Sequence, residues 1–312
     1  MANGDRRKIS VGHEHFPMTV RTSRYVCSET QLIHDMEQLS YLLVEGLLPT
    51  CFWQLVELYG SLSEIFRDKN DNQIFWGPAN FNKVGLFYNT LIFSPTLPKL
   101  GRVVNPKFEF NFASSQFLHN SPNFAVADNF LSKEALDALE RFALESTIWF
   151  YKKSGYLRTS REDGFDHDLL IQLEKEIRIG FPDVVGDLPL VGKWATKSSQ
   201  KAPEVFPHAD DGTVTLNLWL TADEANLNKS SGGMTIVLKG APPVAPRMNL
   251  FKIEHPDDVE QYADAVTFRV PYKQNRLVIF NSSLLHARDA PDFKPGYKSR
   301  RTNVVLVFGK KK

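Results

Sequence analysis

From Leu188 onward the hydrophobic residues follow a period of two. Short runs rich in β-branched or aromatic residues, separated by Gly, Pro or Asn, occur at 188–197, 213–221, 233–238, 265–271, 276–281 and 301–308. Alternation of this kind turns one face of a strand inward, and short strands at this spacing favour a closed double sheet. The last third of the chain therefore predicts a double-stranded β-helix, a jelly roll.

The part of the chain before Leu188 predicts helices, because its apolar residues recur at helical spacing. The predicted helices are one that follows the capping-box pair Ser28 and Gln31 and ends at Pro49, one over 52–66, one after the N-cap Ser132, and one over 168–179. The predicted fold class is therefore mainly β with flanking helices (α+β), with the helices first and the β core after them.

The length of 312 residues allows one large domain, or a core domain with an elaboration. Residues 1–121 carry no recognisable motif, and we expect them to form an N-terminal helical and irregular region whose role the sequence does not specify. Residues 122–312 are expected to form the double-stranded β-helix domain with its supporting helices. The pattern specifies no oligomeric state.

The charge and hydropathy of the chain exclude several classes of partner. A net charge of +1 offers no electrostatic footprint for nucleic acid. No apolar run approaches the roughly 18 residues of a membrane span, and the charged N-terminus has no apolar segment after it. Two cysteines, Cys27 and Cys51, suit a reducing compartment. We therefore expect a cytoplasmic protein with no nucleic-acid or membrane partner.

Two distant segments carry residues suited to one metal ion. FPHADDG contains His208 and Asp210, and FNSSLLHARD contains His286. Two imidazoles and one carboxylate are the donors of a facial triad, which leaves positions on a non-haem Fe(II) open for a co-substrate and O2. Read one at a time, the same residues could be a surface acid and two structural histidines.

Spacing separates this set from other histidine motifs in the chain. In a jelly roll, a metal site of this kind needs about 40–60 residues between its first and last histidine. His208 and His286 lie 78 residues apart, which leaves room for the intervening strands and a loop. The His-Pro-Asp triplet at 255–257 begins only 31 residues before His286, which is too short. That triplet resembles a helix start, and the His-Glu-His triplet at 13–15 lies in a polar lead-in.

Two adjacent arginines precede the last predicted strand. A guanidinium forms two parallel hydrogen bonds with a carboxylate and stays charged, so it suits a buried dicarboxylate. Arg300 and Arg301 point to opposite faces of the strand, so only one enters the barrel. Arg301 is preferred because Asn303 shares its face, although both arginines could be solvated at the strand start. Asn217, on the strand after His208, is a further candidate for the pocket.

In their order, these motifs resemble the soluble Fe(II)/2-oxoglutarate-dependent dioxygenases, which have cupin-like cores. The matching pieces are HADD, NLWLTADEAN (217–226), SGGM (231–234), VPYKQNRLVIFNSSLLH (270–286) and GYKSRRTN (296–303), within residues 122–309. The resemblance implies that His208, Asp210 and His286 bind iron. It also implies that Arg301, with Arg300 as the alternative, holds the distal carboxylate of 2-oxoglutarate, with Asn303 and Asn217 nearby.

The resemblance implies Fe(II), 2-oxoglutarate and O2 as cofactors or co-substrates, with succinate and CO2 as co-products. The expected reaction is hydroxylation of an unactivated C–H bond in a small molecule or an amino-acid residue. Two alternatives stay open at this point. One is a non-catalytic jelly-roll binding module, and the other is a cupin-type metal enzyme that uses Zn or Mn.

Overall fold

The computed structural model describes residues 26–66, 74–75, 84–85, 87–153, 155–200, 202, 207–239 and 266–310. Both rival histidine motifs, at 13–15 and 255–257, lie outside the described residues. The same holds for most of the loop between the strands predicted at 233–238 and 265–271.

The helices of the described residues lie mainly before the strands of the barrel. They are α1 Glu29–Val44, α2 Trp53–Phe66, α3 Phe110–His119, α4 Lys133–Glu145 and α5 Asp168–Gly180. The predicted N-caps are confirmed, since the hydroxyls of Ser28 and Ser132 accept bonds from the backbone three residues on. The prediction that the first helix ends at Pro49 is wrong. Helix α1 ends at Val44, shortly before Gly46, whose φ is +70°.

The strands are β1 Val26–Cys27, β2 Ile74–Phe75, β3 Phe124–Ala127, β4 Tyr151–Lys153, β5 Tyr156–Ser160, β6 Leu190–Ser198, β7 Val214–Trp219, β8 Met234–Lys239, β9 Val266–Val270, β10 Leu277–Asn281, β11 His286–Arg288 and β12 Thr302–Phe308. A seven-stranded sheet has the order β3-β10-β7-β12-β6-β5-β4, and a three-stranded sheet has the order β11-β8-β9. All pairings between these strands are antiparallel.

The chain passes back and forth between the two sheets, which makes the core a jelly roll. After β6 in the large sheet, the backbone at His208 pairs with His286 of β11 in the small sheet. β7 returns to the large sheet, β8 and β9 lie in the small one, and β10, β11 and β12 then alternate. The predicted double-stranded β-helix with flanking helices is confirmed.

Three strands of the large sheet were not anticipated. β3, β4 and β5 precede residue 188 and extend the sheet at its two edges. The expectation that the β core begins only after the helices is therefore wrong. Short strands of this kind have little periodicity of their own, and they form because neighbouring strands offer hydrogen-bonding edges. Helix α3 was missed for a similar reason, since it lies in an aromatic-rich segment without clear period.

The large sheet separates the helices from the interior of the barrel. Leu216, Leu218, Val304 and Leu306 belong to the main hydrophobic core, which they share with residues of α4 and α5. The alternate residues of the same strands face the other way, so polar side chains of β7 and β12 lie inside the barrel. This alternation positions the candidate site described below.

Helix α1 packs against the outside of the barrel. Glu37 of α1 pairs with Arg300, with 2.8 Å between its Oε2 and the arginine Nε. Gln38 donates from Nε2 to the carbonyl oxygens of Leu144 and Ser146, both at 2.9 Å. The division of the chain at residue 121 stays a prediction, as does the cytoplasmic location. In the described parts of the chain, no helix is long and apolar enough to cross a membrane.

Candidate metal centre

The sequence-predicted triad comes together at one end of the barrel. His208 and His286 exchange backbone hydrogen bonds of 3.0 and 2.9 Å, which hold the two residues side by side. Their ring centroids lie 4.4 Å apart. One potential ligand atom from each of His208, Asp210 and His286 lies within 4.8 Å of the others. Two ligands of one ion with metal–ligand bonds of about 2.2 Å lie at most about 4.4 Å apart, so donors within 4.8 Å of one another lie near the spacing that a single ion requires.

Asp210 is oriented by contacts with two neighbouring strands. Its backbone N–H donates to the carbonyl of Ser282 at 2.9 Å. Its Oδ2 accepts a 2.8 Å hydrogen bond from the hydroxyl of Thr215 and lies 3.6 Å from Nε2 of His286. Gly212 lets the turn pass close to β12, because a Cβ there would lie 2.3 Å from a side-chain atom of Val307. These contacts direct the carboxylate toward the imidazoles.

His286 is oriented by a backbone carbonyl that the sequence did not identify. Its Nδ1 donates to the carbonyl oxygen of Leu284 at 3.0 Å, so Nε2 keeps its lone pair and faces Asp210. The side chains of Asn281, Ser282 and Ser283 lie near His286 in the sequence, but none of them accepts this bond. Burial, with the nearby charge of His208, lowers the pKa of His286 to about 4. The imidazole is therefore neutral at pH 7, as a metal ligand must be.

The two arginines separate as strand alternation predicts. Arg301 lines the same cavity as the three candidate ligands and is 2% exposed. Arg300 is not among the lining residues, and its guanidinium pairs with Glu37 of α1 on the opposite face. Burial and the charge of Arg288 lower the pKa of Arg301 to about 9, so Arg301 remains a cation at pH 7.

The guanidinium of Arg301 is held in a fixed orientation. Its Nε donates to the carbonyl of Gly232 at 2.5 Å and its Nη2 to that of Gly233 at 3.3 Å. Gly233 itself lies against β9, because a Cβ there would lie 1.9 Å from the backbone oxygen of Val270. The side chain also lies over the ring of Trp219, with 5.6 Å between the guanidinium carbon and the ring centroid. Trp219 is fully buried and supports the arginine from the barrel core.

Asn303 and Asn217 line the same cavity as Arg301. The Oδ1 of Asn303 accepts from Nη1 of Arg301 at 3.1 Å and from the hydroxyl of Thr196. The Nδ2 of Asn303 donates to Oδ1 of Asn217 at 2.8 Å. The two amides therefore form a chain that ends in the amide nitrogen of Asn217.

The cavity has a volume of about 110 Å³. Aromatic and aliphatic side chains form much of its wall: Tyr156, Trp194, Met234, Phe280 and Val305. One charged lining residue, Arg288, was not identified from the sequence. The sequence does contain a signal for Arg288. It follows His286 by two positions on one strand, so the two side chains point to the same face.

No protein-family model and no curated protein matches the sequence. Among solved structures, the non-heme alpha ketoglutarate dependent carbocyclase SnoK from nogalamycin biosynthesis is 14% identical, with a TM-score of 0.48 over 67% of this chain and 87% of the other. A Pseudomonas putida prolyl-4-hydroxylase is 14% identical, with a TM-score of 0.43 over 65% of this chain and 100% of the other.

EctD from S. alaskensis, solved with 2-oxoglutarate and 5-hydroxyectoine, is 12% identical, with a TM-score of 0.40 over 70% of this chain and 84% of the other. Similarity at this level leaves the function of the chain to be argued from the site itself.

Proposed function

We propose that this chain is an Fe(II)- and 2-oxoglutarate-dependent oxygenase that hydroxylates an unactivated C–H bond. The supporting observation is the approach of His208, Asp210 and His286 to within 4.8 Å of one another. A buried arginine in the same cavity supplies the cation that a dicarboxylate co-substrate needs. The sequence motifs that resemble the dioxygenases contain all four of these residues.

The donor set fits iron by its chemistry. Two neutral nitrogens and one carboxylate oxygen form a facial triad, and such a site leaves positions free for other ligands. His286 presents Nε2 because its Nδ1 bonds to a carbonyl, and Asp210 is held by Thr215. Such outer contacts orient ligands and raise metal affinity. His208, Asp210 and His286 would therefore hold Fe(II) as the three protein ligands.

Bound iron and 2-oxoglutarate would supply the oxidation of a C–H bond by O2, with succinate and CO2 as co-products. The protein supplies binding and orientation. Arg301 would bind the distal carboxylate of 2-oxoglutarate through guanidinium N–H groups that its contacts with Gly232, Gly233 and Asn303 leave free. The amide nitrogen of Asn217 would provide a second polar contact.

Apolar side chains in the cavity wall would help to exclude water from the metal centre. Phe280 packs against His286, with 4.6 Å between ring centroids. Phe280, Met234 and Val305 give the cavity part of its apolar surface. An apolar surround strengthens electrostatic contacts inside the site and limits side reactions with solvent. We expect the substrate to be a small molecule or an amino-acid side chain that enters beside this wall.

Anaerobic titration tests the proposal most directly. Metal-free protein is mixed with Fe(II) and 2-oxoglutarate without O2, and we expect the visible charge-transfer band of the iron–keto-acid chelate. On admission of O2, we expect release of succinate. Asp210→Ala is expected to abolish both signals, whereas substitution of Cys51, which is exposed and has a free thiol, should leave them unchanged.

Other outcomes identify the alternatives. If the chain binds Zn or Mn tightly, and neither a band nor succinate appears with Fe(II), a cupin-type enzyme with another metal replaces the proposal. If 2-oxoglutarate binds but no oxygen is consumed with any metal, a non-catalytic jelly-roll binding module replaces it.

A further inference from the structure

Ser282 lies between the two segments that carry the candidate metal ligands. It directly follows β10, precedes the turn that leads to His286, and is 0% exposed. Its backbone carbonyl accepts a bond from the N–H of Asp210 at 2.9 Å, and its own N–H donates to the carbonyl of Thr213 at 3.0 Å. The backbone of Ser282 therefore holds the segment of Asp210 against the segment of His286.

The hydroxyl of Ser282 makes a further contact with this segment through Thr215. Its Oγ lies 2.9 Å from Oγ1 of Thr215, a residue of β7 that is 1% exposed. Thr215 in turn donates to Oδ2 of Asp210 at 2.8 Å. The three side chains thus form one chain of hydrogen bonds that ends at the carboxylate.

The direction of this chain follows from the number of protons. A hydroxyl has a single proton, and a carboxylate that binds a metal ion has none. Because the proton of Thr215 lies in the bond to Asp210, the bond between the two hydroxyls must be donated by Ser282. Ser282 is therefore the first donor of the chain, and Asp210 is the final acceptor.

Donation from Ser282 strengthens the bond that Thr215 makes to Asp210. Hydrogen bonds in a row polarise one another, and a bond to an ionised acceptor is stronger than a bond between neutral groups. The contact also fixes the hydroxyl of Thr215 with its proton directed at the carboxylate. The orientation of Asp210 thus depends on a side chain that does not itself contact the carboxylate.

The turn after Asp210 leaves space for the serine hydroxyl. A Cβ at position 212 would lie 3.3 Å from Oγ of Ser282 and 2.3 Å from a side-chain atom of Val307. The first of these distances is tighter than an ordinary contact, so a side chain there would press on the hydroxyl. Gly212 therefore allows Ser282 to lie beside Thr215.

We propose that Ser282 is a positioning residue of the metal centre, whose hydroxyl acts on Asp210 through Thr215. The assignment rests on the proposed function in one respect, namely that Asp210 binds a metal ion. Loss of the serine hydroxyl weakens metal binding, and it does so only while Thr215 has a hydroxyl that connects the serine to the carboxylate.

The test measures the affinity of the whole protein for Fe(II) without O2, by competition with a chelator of known affinity. Ser282→Ala should weaken Fe(II) binding about three- to tenfold, because it removes the support of the bond to Asp210 but not the bond itself. Ser283→Ala is the matched control, since this exposed serine of the same turn donates to Asn281 at 2.7 Å. It should leave the affinity within about twofold.

Two backgrounds separate positioning from packing. In Thr215→Val, which has no hydroxyl at this position, Ser282→Ala should change the affinity by less than about twofold. In Thr215→Ser, which keeps a hydroxyl, Ser282→Ala should again weaken binding about three- to tenfold. A packing defect at the serine would lower the affinity by the same factor in every background. Affinity of the iron-loaded Ser282→Ala protein for 2-oxoglutarate should stay within about twofold, because the contacts of Arg301 are separate from this chain.

Thermal unfolding accompanies each titration. If Ser282→Ala does not fold, Ser282→Cys replaces it, because a thiol is a much weaker donor of similar shape and should lower the affinity in the same direction. The assignment is overturned if the folded variant binds Fe(II) within about twofold of the unsubstituted chain, or if Ser283→Ala loses as much affinity. An equal loss in the Thr215→Val background also overturns it.

Failure of the proposed function gives a different result. If the unsubstituted chain binds Fe(II), Mn(II) or Zn(II) but shows no charge-transfer band with Fe(II) and 2-oxoglutarate, the oxygenase function is overturned. The same variants then test Ser282 with the metal that binds. If the unsubstituted chain binds none of these ions, the oxygenase function and the role of Ser282 are overturned together.

Discussion

Replacement of Arg301 by Gln should separate binding of the co-substrate from binding of the metal. Of the five N–H groups of a guanidinium, three are used inside the protein, on Gly232, Gly233 and Asn303. About two therefore remain for a ligand, one on each terminal nitrogen. These form the fork that matches a carboxylate.

The expected loss follows from that count. A hydrogen bond to a charged group contributes roughly 1.5–3 kcal/mol, so two such bonds contribute at least about 3 kcal/mol. The dissociation constant of 2-oxoglutarate should therefore rise by at least about 100-fold in Arg301→Gln. Metal affinity should change little, because the three candidate ligands stay in place. Arg301→Lys keeps the charge without the fork, so its dissociation constant for 2-oxoglutarate should lie between those of the unsubstituted chain and Arg301→Gln.

The assay is calorimetric titration of 2-oxoglutarate into anaerobic Fe(II)-loaded protein. Arg300→Gln is the matched control, since this neighbouring arginine pairs with Glu37 outside the cavity. Both substitutions remove a buried cation, so thermal unfolding should accompany the titrations to confirm that each variant folds. The reasoning is refuted if folded Arg301→Gln binds 2-oxoglutarate within about threefold of the unsubstituted chain, or if Arg300→Gln weakens binding as much.

Three further predictions follow from the same contacts. Thr215→Val removes the hydroxyl that donates to Asp210, so metal affinity should fall by about 10–100-fold in a metal-competition titration, and an unchanged affinity would contradict this role. The pKa of His286 lies near 4 in the folded chain against an ordinary 6.5, so the unfolded chain binds more protons between these values and stability falls as pH drops. Urea unfolding of metal-free protein should show about 2 kcal/mol less stability from this group at pH 5 than at pH 7, and His286→Gln should remove that part of the pH dependence. Gly233→Ala places a Cβ 1.9 Å from a backbone oxygen and should strongly lower the thermal unfolding temperature, whereas Gly101→Ala, with no atom within 4 Å of the new Cβ, should not.

Several elements could be predicted because their signals are local. The N-caps Ser28 and Ser132 begin helices through bonds to residues three positions on, and the runs after residue 188 alternate within one strand. The opposite directions of Arg300 and Arg301 follow from the same alternation. Such features depend on backbone geometry over a few residues, so periodicity predicts them without any knowledge of distant contacts.

Other elements depend on neighbours that are remote in sequence. β3 joins the large sheet because β10 presents an edge to it, and β5 pairs with β6. Their own residues have weak periodicity, and strand formation depends strongly on context. The partner of His286 could not be predicted for a different reason. It is the carbonyl of Leu284, only two residues away, and residue type does not identify such a partner because every residue carries a carbonyl.

The sequence by itself determined which chemical groups are present and at what spacing: two imidazoles and a carboxylate far enough apart to span a jelly roll, and an arginine on the inward face of the last strand. Only the tertiary structure decided that these groups meet at one point, and that Arg288 joins them in the same cavity beside Tyr156 and Ser198. The physical reason is that side-chain direction is set within a strand. Convergence is set instead by the register and packing of strands that lie tens of residues apart.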